Sequence, residues 1–421
     1  MSATVLRNLT LLGPLLVVVV AVVVGHRRGV LRARVPGAVL ATLLAWVGML
    51  AVEAAGVWWA FAPGPTTVLG LPLETSLGWA LAWGALPVLA GGHPGLWWCG
   101  FLWTDVLVVP HLAPLVRLDP DWLVGEAVLL VLVAAPALAL GRLTVRRRGL
   151  AVRVVLQGMT FAGLFGWAAP TLALAHDGLG WADVVDHGFV VRGLLLAAAV
   201  VLAVPPLAAV AELCRVGRGT PFPWDPPERL VATGPYAYLH NPMQAGTVAL
   251  LLLLALAAGS PALLVGVLVA AVFSVAVAEP HEGRLLAARW AGYRAYRHAV
   301  RGWLPRWRPH VADPAVLWVS ESCGLCASTG QAVVLAGPRG VEVRAAERAP
   351  VQLNRMRFSA AGVDDRGVAA LARCLERVSL PWAWLGWLVR LPVLDVAVQA
   401  VADACGLGPR ELPRPARTVS P

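Results

Sequence analysis

The chain has 421 residues, of which 58% are hydrophobic and 14% charged, with a formal net charge of +10. A soluble chain carries roughly a quarter charged residues, so the composition excludes an ordinary water-soluble globular protein. All 34 basic residues are Arg, and they gather at the ends of apolar runs, which argues for membrane orientation and anionic lipid and against nucleic acid.

Several apolar runs reach the roughly 20 residues needed to cross a bilayer. In chain order the predicted membrane helices are about 9–25, 37–61, 76–91, 94–113, 122–141, 154–175, 189–212, 243–258 and 261–278. The first resembles a signal-peptide core in length. Only Arg7 precedes it, however, and its basic cluster follows it, so it reads as a retained helix. His26, Arg27, Arg28, Arg32 and Arg34 follow helix 1; Arg142, Arg146, Arg147, Arg148 and Arg153 follow helix 5. Arg215, Arg218 and Arg229 follow helix 7, and another Arg-rich segment follows helix 9. With about nine helices every basic loop falls on one side. The positive-inside rule then predicts an integral membrane protein with its N-terminus outside and its C-terminus in the cytoplasm. Trp58, Trp59, Trp97, Trp98 and Trp122 suit interfacial belts.

Glu53, Asp105, His111 and Glu126 sit in or near the apolar runs. Ionisable groups inside a membrane are costly and often functional, although each can also lie at an interface. The loop with His176, Asp177, Asp183, Asp186 and His187 reads as solvated, with metal ligation as the alternative.

The stretch from Arg229 to Arg306 carries the candidate chemistry. It reads RLVATGPYAYLHNPMQAG, then an apolar helical hairpin, then EPHEGRLLAARWAGYRAYRHAVRGWLPR. Gly234–Pro235 makes a turn, Asn241 suits an N-cap and Pro242 a first helical turn. A helix N-terminus at the interface offers unpaired N–H groups to a carboxylate or phosphate. Gly246 leaves room beside the helix. Glu279, His281 and Glu282 follow the hairpin, and a carboxylate there can accept from an amine or a ribose. Tyr293 and Tyr296, three apart, share a helix face.

These two segments resemble the isoprenylcysteine carboxyl methyltransferase and phospholipid methyltransferase superfamily over about 200–306. The first part of the pattern is Leu230, Val231, Thr233, Gly234, Pro235, Tyr236, Tyr238, Asn241, Pro242 and Gly246; the second is Glu282, Leu285, Tyr293, Tyr296, Val300, Trp303, Leu304 and Pro305. The resemblance implies S-adenosylmethionine as cofactor, held on the cytoplasmic side by Gly234, Pro235, Tyr236, Tyr238, Asn241, Pro242, Gly246 and Glu282. It implies methyl transfer to a hydrophobic, membrane-dissolved acceptor, with Glu282 and Arg301 as catalytic candidates. Arg301 or Arg297 is a candidate to hold an acidic acceptor. The chain departs from the pattern at Gln244, His281, Arg289–Trp290 and the displaced Arg301, which leaves the acceptor and the atom methylated open.

Past about 310 the chain changes character. Residues 315–319 read as a strand, Cys323 to about Val334 as a helix and 341–344 as a strand. A Cys at a helix N-terminus has a lowered pKa, so Cys323 and Cys326 are candidates for redox chemistry. Zinc competes, but Cys374 and Cys405 are single, so no metal set is assigned. Residues 315–408 resemble the thioredoxin-like DCC family of thiol-disulfide oxidoreductases, with VSESCGLC in place of the usual motif and Ser320 where an acidic residue is usual. Trp382, Trp384 and Trp387 read as core rather than membrane surface.

The expectation is an all-α polytopic membrane protein with a small C-terminal α/β thioredoxin-like domain. The domains expected are 1–150, N-terminal helices of unassigned role; 151–310, a methyltransferase-like body; 311–408, the CxxC domain; and 409–421, a disordered tail. The expected partners are membrane lipids and a lipid-like acceptor. The competing functions are a membrane-tethered thiol-disulfide oxidoreductase and a non-catalytic scaffold.

Overall fold

A computed structural model describes residues 2–56, 58–64 and 66–409. Of the predicted tail 409–421, residues 410–421 lie outside the described residues. The fold is 68% helical. Among the described residues six helices are long and apolar enough to cross a membrane. They are α1 (Ala3–Arg27), α2 (Leu31–Ala55), α5 (Trp122–Arg146), α6 (Leu150–His176), α8 (Phe189–Arg215) and α10 (Pro261–Arg289). Shorter helices are α3 (residues 73–90), α4 (Pro94–Val108), α7 (Trp181–Val185), α9 (Pro242–Ala258) and α11 (Tyr293–Ala299).

Each predicted membrane run contains helix, but the bounds move for physical reasons. The run 37–61 stops at Ala55, and Trp59–Phe61 forms strand β1. Gly56 ends the helix, and the consecutive aromatics favour a pleated surface. After a tight hairpin of β2 (Thr67–Val68) and β3 (Leu71–Pro72), the partner of β1 arrives as β4 (Val116–Leu118), with Trp59 opposite Leu118 and Phe61 opposite Val116. The run 94–113 leaves the α-helix at Val108, because Pro110 removes a backbone donor and the chain tightens into a 3₁₀ turn. The last run extends from 278 to Arg289 through a π-turn at Ser274–Ala278, so the second motif segment is helical.

Contacts divide the chain into two compact units. The first holds the residues up to 185 together with 220–225 and 258–266. Its centre is α2, where Leu40, Ala41, Ala45 and Leu50 are fully buried. Small residues let helix backbones approach: a Cβ on Gly37 would lie 2.5 Å from the Gly141 carbonyl oxygen, and one on Gly84 2.5 Å from Thr42. In lipid, such close packing replaces the hydrophobic drive available in water. Arg153 pairs with Asp225, and Asp177 accepts from the Ser260 hydroxyl at 2.5 Å and the Ala262 N–H at 3.0 Å.

The second unit holds, of the described residues, 186–219, 226–257 and 267–409. Its C-terminal part is built from β5 (Ala315–Val319), α12 (Gly324–Ala336), β6 (Val341–Ala345), β7 (Arg357–Ala360), β8 (Val363–Arg366), α13 (Val368–Leu375), α14 (Leu380–Val389) and α15 (Leu394–Ala402). The sheet order is β6-β5-β7-β8; β5 and β6 are parallel and the other pairs antiparallel. Ala315, Leu317 and Val319 alternate inward to meet Val333, Phe358, Val363 and Cys374. The hairpin β7–β8 escapes the sequence reading because Arg357, Asp364, Asp365 and Arg366 mask its apolar positions. Helix α14 and the helix that follows it meet at 89°. Trp387 is buried with Ala383 against Val204 and Ala208 of α8, as core packing predicts, whereas Trp382 is 47% exposed.

Candidate functional site

The loop between α8 and α9 is held from three directions. Gly234 has φ +61°, and a Cβ there would lie 3.1 Å from the Glu212 side chain. Glycine therefore serves both the left-handed turn and the close approach. The Thr233 hydroxyl donates to Glu212 Oε1. Tyr238 is fully buried; its hydroxyl donates to the Glu376 carbonyl at 3.0 Å and its ring meets Trp387 edge-on at 5.4 Å. The Tyr296 hydroxyl donates to the Tyr236 carbonyl at 2.9 Å.

The segment after α10 closes onto the same loop through Glu279. Its carboxylate receives Arg297, the His240 ring at 3.3 Å and the Trp303 indole at 3.4 Å. The His240 N–H donates to the Arg301 carbonyl at 3.0 Å. Glu279, two residues before His281, where the chain departs from the motif, thus fastens the two motif segments together, and the motif acid Glu282 lines the cleft between them.

Between the segments lies a cleft of ≈ 580 Å³, open mouth included, lined by Tyr236, Asn241, Pro242, Gln244, Glu282, Trp290, Tyr293 and Tyr296 with an apolar wall from Leu213, Val231 and Leu286. Asn241 precedes the first residue of α9, and its carbonyl accepts from Ala245 at 3.0 Å, the geometry of a helix start. Three buried polar atoms here have no hydrogen-bond partner among the described residues: Tyr236 Oη, Asn241 Nδ2 and Gln244 Oε1. Buried polar groups are otherwise nearly always satisfied, so three orphans in one cleft mark where a polar ligand fits. Burial, then the nearby Glu282 and Glu212 carboxylates, pushes the Tyr236 phenol well above its ordinary range. Burial does the same to Tyr293 and Tyr296. All three therefore stay protonated at neutral pH and act as donors, not bases.

Of the residues the sequence singles out, Tyr236, Asn241, Pro242 and Glu282 meet at this cleft. Gly234, Pro235 and Tyr238 shape the loop behind it. The room expected beside Gly246 is taken by Pro206, whose ring a Cβ would meet at 2.6 Å. Arg301 is exposed and touches the site through its backbone, and the Arg297 guanidinium is engaged by Glu279.

Sequence reasoning missed the support of the loop. Glu212, 1% exposed, receives Arg373 at 2.7 Å and Arg390 at 3.0 Å, and both arginines also bind Glu376. A carboxylate near the end of an apolar helix was the available signal; its partners lie 161 and 178 positions away.

Cys323 caps the N-terminus of α12, as the sequence predicts, and with Cys326 lines a separate cleft of ≈ 760 Å³. Its loop is fixed by Glu347, which accepts from the Ser320 hydroxyl at 2.7 Å and the Ser322 hydroxyl at 3.0 Å. Burial opposes ionisation of Glu347, but Ser320 and backbone N–H groups outweigh it and hold its carboxyl at about 2. No cluster of three or more His, Cys, Asp or Glu side chains suited to a metal ion occurs among the described residues.

Residues 193–289 match the family model of phospholipid methyltransferase. The match runs from α8 to the end of α10; it takes in the Gly234–Asn241 loop, Glu279 and Glu282, and stops before Tyr293. No curated protein and no solved structure matches the chain.

Proposed function

We propose that this protein is a membrane methyltransferase that uses S-adenosylmethionine to methylate a hydrophobic acceptor dissolved in the bilayer. The observation that carries the reading is the coincidence of the phospholipid methyltransferase match with a cleft that holds three orphaned polar atoms. The residues present suit the cofactor. Asn241 Nδ2 and Tyr236 Oη are donors without acceptors, Gln244 Oε1 is an acceptor without a donor, and the start of α9 favours a carboxylate. Glu282 would accept from an amine or a ribose hydroxyl. When bound, the sulfonium supplies an electrophilic methyl group.

The chain's own contribution is alignment and exclusion of water. Leu213, Val231 and Leu286 make one wall apolar, and a dry wall favours a transfer in which charge is dispersed. The neutral phenols of Tyr236, Tyr293 and Tyr296 offer dipoles and do not compete as nucleophiles. Holding acceptor and donor in line is the main source of rate in such a displacement. Isoprenylcysteine-like carboxylates and phospholipid amines are both acceptors of the right character. The cytoplasmic side is the face the Arg distribution favours for this cleft.

The test is transfer of labelled methyl from S-adenosylmethionine to a membrane lipid extract by the purified protein. Label in the lipid phase is expected, lost in Glu282→Ala and Asn241→Ala. Equal transfer by both variants would sink the assignment of this cleft.

We read the C-terminal part as a thioredoxin-like domain within the same chain. Its parallel βαβ unit followed by an antiparallel hairpin supports this, as does Cys323 at a helix N-terminus. A redox titration of Cys323 and Cys326 tests it; if neither thiol forms a disulfide under oxidising glutathione, the domain is a scaffold.

A further inference from the structure

The first unit contains a cavity that methyl transfer leaves unused. It measures ≈ 580 Å³ with its mouth, and its walls include Met49, Phe61, Leu71, Trp59 and Trp79. Into this apolar surround project two carboxylates, Glu53 and Glu126. A third, Asp105, stands behind as a hydrogen-bond neighbour of Glu126. Asp105 is fully buried and Glu126 is 5% exposed.

The donors that reach these acids are indoles. Trp59 Nε1 donates to Glu53 at 2.6 Å and Trp79 Nε1 to Asp105 at 3.1 Å. Apart from each other, no donor among the described residues reaches Glu126 Oε1 or Asp105 Oδ2. Among the described residues, no Arg or His side chain acts on any of the three acids. Asp105 and Glu126 are hydrogen-bond neighbours, so together with Glu53 three carboxyl groups gather at one cavity. Burying a carboxylate in an apolar surround is costly unless a cation meets it. A metal ion is a poor match, because hard cations take six or more oxygen ligands. The Thr75 and Ser76 hydroxyls that also line the cavity are already hydrogen-bonded to Thr10 and Trp46, and the wall beyond them and the two carboxylates is apolar or aromatic. An alkylammonium is a good match: its charge faces the acid, its methyl groups face the walls, and indole rings attract it further.

We propose that the cavity lined by Glu53, Glu126, Trp59 and Trp79 binds an organic ammonium group carrying a short apolar substituent. This does not rest on the methyltransferase reading and survives its failure.

The test uses the full chain in phosphatidylglycerol nanodiscs, titrated with hexyltrimethylammonium and with the uncharged isostere that has tert-butyl in place of trimethylammonium. Empty nanodiscs correct for partition, and tryptophan fluorescence reports occupancy. The ammonium is expected to bind about tenfold more tightly than its isostere, and Glu126→Gln is expected to remove about that preference. Equal binding of the two probes, or an unchanged preference in Glu126→Gln, would overturn the proposal and leave a merely apolar cavity. If Glu126→Gln fails to fold, Glu53→Gln and Trp79→Leu carry the same comparison. Repeating the titration in phosphatidylcholine nanodiscs separates two sources of the ligand. Weakened probe binding there makes a lipid headgroup the occupant, and unchanged binding makes it a free amine.

Discussion

Both units bury carboxylates inside membrane-type helices, and they resolve the cost in opposite ways. In the second unit Glu212 is met by Arg373, Arg390 and Thr233, and the arginines are in turn shared with Glu376. In the first unit Asp105 and Glu126 meet each other, one indole donor, on Asp105, and, among the described residues, no cation. A cluster whose charges are paired is structural: it ties α8, the glycine-turn loop, α13 and α14 into one arrangement, so the loop behind the cleft is held by residues far along the chain. An acid pair without a cation stores an electrostatic demand that a ligand can meet. Charge alone does not mark a site; charge without a partner does.

The sharpest way to break this comparison is to remove one partner from each cluster. Arg373→Ala leaves Glu212 buried beside a single arginine and should destabilise the protein by about 3–5 kcal/mol, the range for breaking a buried pair. Thermal unfolding in detergent measures it, and the Arg373→Met, Glu212→Gln double variant should recover much of the loss. A small effect would mean that the cluster is solvated and does not hold the loop. Next in size, Tyr238→Phe removes one buried hydrogen bond to the Glu376 carbonyl and should cost about 1 kcal/mol. At the other extreme, Glu126→Gln should leave the melting temperature unchanged or raised, because it deletes a buried carboxyl group that no cation meets. A loss comparable to that of Arg373→Ala would show that the two clusters are alike after all.

A smaller effect sits at the Cys323 loop. Glu347 is held at about 2, below its ordinary 4.5. Its stabilisation of the Ser320–Ser322 turn is therefore present above pH 4.5 and lost as pH falls toward about 2. Pepsin cleavage within 320–326 should accelerate across that window in the native chain. It should be rapid throughout in Glu347→Gln. A flat profile in the native chain would show that the turn does not depend on the carboxylate.

Much of the helical frame was legible because its cause is local. Apolar runs, an Asn–Pro helix start and a Cys at a strand–helix junction all act within a few residues. The same holds for Tyr236, Asn241 and Glu282, whose convergence follows once the hairpin between them is recognised. What was not legible depends on distant partners. Nothing near Trp59 announces pairing with Leu118, and nothing near Glu212 announces two arginines from the C-terminal region. Local chemistry also misled where a neighbour fills the space: Gly246 looks like room for a ligand, but Pro206 occupies it. Glu279 reads as a carboxylate able to accept from an amine or a ribose and is instead the residue that His240, Arg297 and Trp303 converge on.

The most direct test of the methyltransferase reading is equilibrium binding of S-adenosylmethionine to the purified protein in nanodiscs, compared with Asn241→Ala and Glu282→Ala. The account predicts saturable binding to the native chain, weakened about tenfold, or about 1.4 kcal/mol, by either substitution. No binding to the native chain, or binding that neither substitution alters, would contradict it.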